Sequence, residues 1–340
     1  MKIAVVILNY NGRSFLEKFL PSVVAHSIGS EVYVADNAST DDSVQFVQSN
    51  YPQIKMVINK ENGGFAKGYN DALKLITADY YVLLNSDIEV TENWIKPCID
   101  LLESDNQIVA VQPKILAYNN KTKFEHAGAA GGFLDKDFYP FCQGRIFEFT
   151  EEDNGQYNQN REVFWATGAC LFIRSDAYHK AGGLDEDFFA HMEEIDLCWR
   201  LKSQGHKIFY CSDSIIYHVG GGTLSYMNPR KTYLNFRNSL YMIAKNYDGI
   251  LFFKMFKRLM LDGVAGSLFL IKFQFKHFWA VLKAHFSFYA NISKLVKKRK
   301  MIKATRTNFN SVGLYKKNIV GKKFISGITK FSDLRKEDFC

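Results

Sequence analysis

At 340 residues, with 47% hydrophobic and 15% aromatic side chains, the chain has apolar mass for a sizeable core and lies far from the disordered range. Its net charge of +8 is unevenly placed: residues 1–249 hold 23 Lys and Arg against 31 Asp and Glu, a net of −8, and residues 250–340 hold 20 against 4, a net of +16. A basic end of this kind suits nucleic acid or the anionic face of a membrane, but the net-acidic body speaks against a nucleic-acid partner.

The start, MKIAVVILNYNG, is not expected to be a signal peptide. Its apolar run covers only residues 3–8 and lacks a small-residue cleavage site, so it reads as a buried first strand. Strands are predicted at 3–8, 31–35, 55–58 and 80–84, with helices at 15–25, 43–48 and 64–76 between them. Short β-rich runs alternating with amphipathic helices predict an α/β fold whose mostly parallel sheet carries helices on both faces. In such sheets ligands bind beyond the carboxyl ends of the strands. That is where the polar clusters fall: Asn9 with Asn11, residues 36–42, and residues 85–87.

Residues 118–162 read as an irregular, glycine- and aromatic-rich insertion. Order resumes at 163–174, read as a strand pair, then a helix at 193–204 and a strand at 207–210. Cys98, Cys142, Cys170, Cys198, Cys211 and Cys340 show no Cys-x-x-Cys spacing, which excludes a zinc or disulfide framework and fits a reducing cytoplasm.

After residue 250 bulky apolar residues recur at helical spacing with lysines on the other face. The longest uncharged run between Asp262 and Lys272 is nine residues, about half of what spans a bilayer. The chain is therefore divided into a catalytic unit, 1–249, and a basic amphipathic helical unit, 250–340. The latter is expected to lie at a membrane surface.

Several residues carry chemistry. Asp36, at the end of the second strand, can accept hydrogen bonds from a ribose or base, and an acid there also serves to cap a helix. The run Asn62-Gly63-Gly64-Phe65-Ala66-Lys67-Gly68-Tyr69-Asn70 opens a helix, where glycines allow close approach and free N–H groups favour a diphosphate. Asp87, in Asn85-Ser86-Asp87, projects from an apolar strand and suits a divalent cation bridging phosphates. Glu193, Glu194 and Asp196 crowd one helical turn, which stabilises carboxylates through the helix dipole and also suits a general base. His218 follows an apolar strand and precedes three glycines.

Taken together, VVILNYNG, DNASTDDS, NGGFAKGYN, LLNSD, TGACLFIR, GGLDEDFFAHMEEIDLCWRL and YHVGG resemble, in order and spacing, the inverting glycosyltransferases of family 2. Their fold is GT-A and the likeness is to the bacterial rhamnosyltransferase-like branch. The resemblance implies that Asn9, Asn11, Asp36, Asn62, Gly63, Gly64, Phe65, Gly68, Asn70 and Asn85 line a nucleotide-sugar site, with Arg237 of the YLNFRN stretch on the diphosphate. It implies Asp87 and His218 as ligands of Mn²⁺ or Mg²⁺. It makes Glu194, with Glu193 and Asp196 beside it, the place of the catalytic base. Asn85 stands where the family's metal motif has its first carboxylate, which weakens metal binding. The implied partners are a UDP- or dTDP-sugar donor and a glycan or lipid-linked acceptor at the cytoplasmic membrane. A pyrophosphorylase would need a basic glycine-rich signature at the first strand, and a nicotinamide dehydrogenase a Gly-x-Gly-x-x-Gly there; neither is present.

Overall fold

The computed structural model describes residues 1–220 and 228–340. The expected alternation is present as β1 (Ile3–Asn9), α1 (Arg13–His26), β2 (Glu31–Asp36), α2 (Ser43–Asn50), β3 (Lys55–Ile58), α3 (Gly64–Leu73) and β4 (Tyr80–Asn85). These strands lie parallel in the order β3-β2-β1-β4. Alternate side chains feed two different cores: Ala4 and Val6 of β1 point to one, Ile3, Val5 and Ile7 to the other. In β4, Tyr81 and Leu83 part in the same way from Tyr80, Val82 and Leu84. A strand buried on both faces needs a continuous apolar run, which is what the sequence supplies.

The chain continues through β5 (Ile88–Val90), α4 (Lys96–Ser104) and β6 (Ile108–Ala117). Residues 118–162, expected to be irregular, form β7 (Asn120–Phe124), β8 (Gly132–Asp135), β9 (Pro140–Cys142), β10 (Arg145–Ile146) and β11 (Phe149–Thr150). Strands of two to five residues are too short to show a period, so no pattern announces them. The predicted strand pair at 163–174 is two strands, β12 (Arg161–Val163) and β13 (Cys170–Arg174), that do not pair with each other. Instead β13 runs antiparallel between β4 and β6, and β12 pairs with β14 (Lys207–His218). The sheet is thus parallel from β3 to β4 and at β6–β14, and mixed where β13 and β12 enter. Between β13 and β14 lie α5 (Ser175–Lys180) and α6 (Glu193–Ser203).

After β14 come α7 (Pro229–Asn246), α8 (Leu251–Ile271), α9 (Phe275–Ala290), α10 (Ile292–Thr305), β15 (Leu314–Tyr315) and α11 (Ile319–Phe324). Residues 250–340 pack onto the body. β15 joins the second sheet beside β8, in the order β11-β10-β9-β8-β15. Phe331 packs on Phe133 tilted and Phe339 packs on it edge-on, with ring centroids 5.0 and 5.3 Å away. Met255, Phe288, Leu295, Tyr315, Ile319 and Phe331 belong to the same core as Val6 and Leu83. Lysines of this segment are partly consumed by the body: Lys294 and Lys298 pair with Asp187, and Lys298 also with Asp185. Among the described residues no helix is long and apolar enough to cross a membrane.

Candidate active site

The carboxyl ends of β1, β2 and β4 gather the first group. Asp36, almost wholly buried, accepts from Asn9 Nδ2 at 3.0 Å and from the Ser39 amide at 2.8 Å. The left-handed Asn11 (φ 50°) caps the next turn, its Oδ1 accepting from the Thr40 amide at 2.7 Å. Asn9 Oδ1 is buried with no hydrogen-bond partner among the described residues, and it would lie 2.3 Å from a Cβ at Gly12, so only glycine fits there. The loop before α3 is tied to this group through Asn37, which donates to Asn62 Oδ1 at 3.1 Å and to the Gly64 carbonyl at 3.0 Å. A Cβ at Gly68 would meet Asn37 at 2.9 Å, and one at Gly64 (φ +81°) would meet the Phe189 carbonyl at 2.4 Å. These glycines permit close packing of loop on loop. Gly63 begins the turn, and Phe65 packs on Tyr69 with ring centroids 4.8 Å apart.

The second group lies where β5, just after β4, begins against the end of β14. Register pairs Ile88 with His218, and the Val219 amide donates to the Asp87 carbonyl at 3.1 Å. This brings the Asp87 carboxylate to 3.1 Å from His218 Nε2. On the other side of the ring, Nδ1 stands 3.1 Å from Glu125. All three groups are buried. Burial works against a charged imidazole, but Asp87 and Glu125 outweigh it and hold His218 up at about 10. Burial likewise opposes the Glu125 carboxylate, and the facing His218 brings it below its ordinary value.

Glu125, in the insertion whose short strands left no period, was not singled out from the sequence. The one available signal was an acid immediately before His126-Ala127-Gly128. Gly220 (φ +70°) belongs to this arrangement, since a Cβ there would sit 2.4 Å from Glu125 Oε1. The rest of the expected glycine run after His218, from Gly221 to Gly222, lies outside the described residues.

One carboxylate and one imidazole facing each other form an oxygen-and-nitrogen donor pair suited to Mn²⁺ or Mg²⁺, provided that ligand oxygens complete the shell. Among the described residues no group of three or more His, Cys, Asp or Glu is arranged so that all could hold one metal ion. The pair would offer its two donors to a cation that displaces the proton of His218.

The third group is reached from β13. The Asn85 amide donates to the Ala169 carbonyl at 2.9 Å, and the neighbouring Gly168 faces Glu194, whose Cβ would lie 3.7 Å from a Cβ built there. Phe65 closes the other side at 3.0 Å. The Cβ of Glu194 in α6, Phe65 in the first turn of α3 and the end of β4 are thus neighbours around Gly168. Glu193 and Glu194 each keep one buried oxygen with no hydrogen-bond partner among the described residues. Burial raises Glu194 to about 7. Burial, then the neighbouring Glu194, also raises Glu193.

Asp196, the third acid, is not at the site. It is fully buried, 2.9 Å from Arg200 and 2.9 Å from Lys245, and it accepts from Asn246 at 2.7 Å. The spacing of four residues to Arg200 aligns the pair on one helix face.

Two expected donor contacts also have other work. Asn70 binds Tyr178, Leu184 and Glu186, which pins α3 to the segment before α6. Arg237 donates to the carbonyls of Asp187 and Phe188 at 2.9 Å each, so its guanidinium holds backbone rather than facing a diphosphate. Its neighbour Asn238 reaches the carbonyls of Phe188, Ala190 and His191 at 3.0, 2.8 and 2.7 Å. The clamped loop needs holding: Phe189, His191 and Met192 all have φ between 62° and 74°, a costly region for side-chain-bearing residues.

A cavity of about 560 Å³ between the insertion and the C-terminal segment is lined by Lys123, Phe149, Glu151 and Lys330.

Among solved structures, the fold matches GalNAc-T7 with UDP, GalNAc and Mn²⁺ at a TM-score of 0.58 and 14% identity, covering 73% of this chain and 48% of that one. It also matches a mannosyltransferase of Pyrobaculum calidifontis in complex with GDP-mannose and Mn²⁺ at a TM-score of 0.52 and 15% identity, covering 89% and 85%. These place the fold among the GT-A glycosyltransferases.

In sequence, the chain is 25% identical over 235 residues to the N-acetylglucosaminyl-diphospho-decaprenol L-rhamnosyltransferase of Mycobacterium tuberculosis, covering 64% of this chain and 76% of the relative. It is 21% identical over 217 residues to rhamnosyltransferase WbbL of Escherichia coli K12, covering 61% and 79%. The profile of Glycosyl transferase family 2 matches residues 4–182, and the chain belongs to that family, a nucleotide-sugar glycosyltransferase of rhamnosyltransferase-like type.

Proposed function

We propose that the protein is a metal-dependent, inverting hexosyltransferase that moves a sugar from UDP or dTDP onto a hydroxyl of a lipid-linked glycan at the inner face of the plasma membrane. The observation that carries this reading is the convergence around Gly168. There Glu194, with one under-bonded carboxylate oxygen, neighbours the end of β4, which leads within two residues to Asp87 and its partner His218.

Asp87 and His218 would hold the divalent cation, which when bound neutralises charge on the diphosphate leaving group. Asn9, Asn11 and Asp36 shape the pocket for the nucleoside, and the turn from Asn62 to Phe65, with Gly68 behind it, brings backbone close to the phosphates. Glu194, raised to about 7, is poised to take the acceptor hydroxyl's proton. The hydroxyl oxygen then bonds to the anomeric carbon from the face opposite the diphosphate. The anomeric C–O bond breaks, the nucleoside diphosphate leaves with the electron pair, and configuration inverts. The lipid-linked acceptor is supported by the mycobacterial relative's name, and the reducing compartment by five buried free thiols.

The test is thermal stability against a panel of sugar nucleotides with and without Mn²⁺, since a ligand of the native state stabilises it by mass action. NMR of the product from the stabilising donor then reads its anomeric configuration. Stabilisation by one donor only with metal, and an inverted product, are expected. Retained configuration or full transfer in excess chelator would overturn the reading.

A further inference from the structure

Helix α8 has its polarity reversed. A surface helix normally turns its apolar stripe inward and its charges to water. Here Arg258 and Asp262 are 4% and 0% exposed, paired at 3.0 Å, with the guanidinium 3.8 Å above the Tyr139 ring and His285 3.6 Å from Asp262. The outward stripe is Phe252, Phe256, Met260, Val264, Leu268 and Ile271, each between 48% and 72% exposed. It continues round the corner into α9 through Phe273, Phe275 and Trp279 to Phe286. An uninterrupted apolar surface of this extent is not stable facing water and marks a docking face.

The charge around it selects the partner. No Asp or Glu occurs between Asp262 and Asp333. Lys272, Lys276 and Lys283 are exposed from the end of α8 along α9, and Lys297 and Lys300 follow on α10, whereas Lys257 of α8 is taken up by Asp137 at 2.7 Å. A second copy docked symmetrically would set these lysines against their own equivalents. An anionic lipid surface offers the opposite charge above an apolar layer.

The face is also continuous with the site. His277 Nδ1 is 2.8 Å from Thr232 in the first turn of α7, and Arg230 of that turn lies 4.9 Å from the Phe189 ring, in the strained loop leading to Glu193 and Glu194.

We infer that the outer face of α8 and the start of α9 lie in the plane of an anionic bilayer at the boundary of headgroups and acyl chains, with the rim of the active site at headgroup level. The apolar stripe runs for about 30 Å along α8 and would sink about 5–10 Å into the interface without crossing it. The seat deepens the lipid-linked acceptor reading, and only the reach to the acceptor rests on that reading.

Trp279 is the exposed one of four tryptophans, so intrinsic fluorescence reports docking. The full chain should cosediment with vesicles of phosphatidylcholine mixed with phosphatidylglycerol, with a blue shift in emission, and far less with phosphatidylcholine alone. The doubly substituted Val264→Glu, Leu268→Glu protein should lose vesicle partition by at least about tenfold. Its melting temperature and turnover on a short, detergent-free acceptor should stay unchanged. Equal partition of both proteins, or no partition of the unsubstituted one, overturns the inference. So does a lipid-free dimer by sedimentation equilibrium that the substitutions dissociate, which would assign the face to a second copy. Partition is read without donor or acceptor, so binding without transfer counts against the proposed reaction, and transfer to the short acceptor without binding counts against the seat alone.

Discussion

Asp87 Oδ1 and His218 Nε2 stand 3.1 Å apart at the ends of strands far separated in sequence, with Glu125 at 3.1 Å on the other ring nitrogen. A carboxylate on the far nitrogen fixes which nitrogen of a ligating histidine faces the metal and makes it more basic. Glu125 thus positions His218, while Asp87 and His218 are the groups that would touch the cation.

We expect Asp87→Ala to abolish both transfer and Mn²⁺ binding measured by electron paramagnetic resonance with UDP present, with the fold retained by circular dichroism. His218→Ala should weaken Mn²⁺ less severely. Glu125→Ala should cost about 10–100-fold in Mn²⁺ affinity through the orientation of His218. Unchanged Mn²⁺ affinity in Glu125→Ala would reduce that residue to a packing role.

Asp196 supports a buried network. Removing its charge leaves Arg200 without its carboxylate and Lys245 with Asp185 alone. Breaking a buried pair from one side typically costs about 3–5 kcal/mol. Asp196→Asn should therefore lower the denaturation midpoint strongly, and the protein that remains folded should keep its turnover per molecule.

The parallel half of the sheet was legible because strands buried on both faces must be written as unbroken apolar runs, as in Tyr80 to Leu84. The polar ends of those strands were legible for the same reason, and Asp36 and Asp87 followed from them. What could not be read is whatever depends on distant pairing. Glu125 reaches His218 only because β6 carries the insertion beside β14, and no local pattern encodes that register. Asn70 lies within α3 and Arg237 midway along α7, polar side chains whose type alone suits a phosphate, and only the fold shows their hydrogen bonds already committed. The inward charges of α8 escaped for a similar reason. Helical spacing shows that two faces differ but not which one is turned to the protein.

Asn238 holds three consecutive-region carbonyls of the loop whose residues Phe189, His191 and Met192 are left-handed. Each such residue costs roughly 1–3 kcal/mol and persists only if its surroundings enforce it. Asn238→Ala frees the loop and lets the start of α6 relax, so Glu194 loses its aim, and the turn at Phe65, whose amide donates to the Phe189 carbonyl at 2.6 Å, loosens less because Asn37 also holds it. The expected result is a fall in kcat of about tenfold or more with a smaller change in donor KM, in line with the sensitivity of catalysis to misplacements of about 1 Å. A change confined to KM would show that the loop serves donor binding instead.

Glu194 carries the pH dependence. Burial lifts it from 4.5 to about 7, and the base must be ionised to accept a proton. Activity should therefore rise with pH through about 7, with kcat/KM falling about tenfold per unit below it. Stability should run the other way. Below 4.5 the carboxyl is protonated in both folded and unfolded chains and costs nothing. As pH rises from 4.5 towards 7 the unfolded chain releases the proton that the folded chain retains, so the stability this group contributes is lost progressively and is gone above about 7. Glu194→Gln removes the ionisation. It should lower turnover by about 10²–10⁴ with donor affinity nearly unchanged, and it should raise stability by on the order of 1–3 kcal/mol at about pH 8 but little at pH 4.5. Denaturant titrations of the two proteins at both pH values, beside their pH–rate profiles, check this pair of opposite signs. A gain in stability independent of pH would place the titrating group elsewhere. Near-normal turnover in Glu194→Gln, together with a folded but inactive Asp196→Asn, would exchange the roles of the two acids.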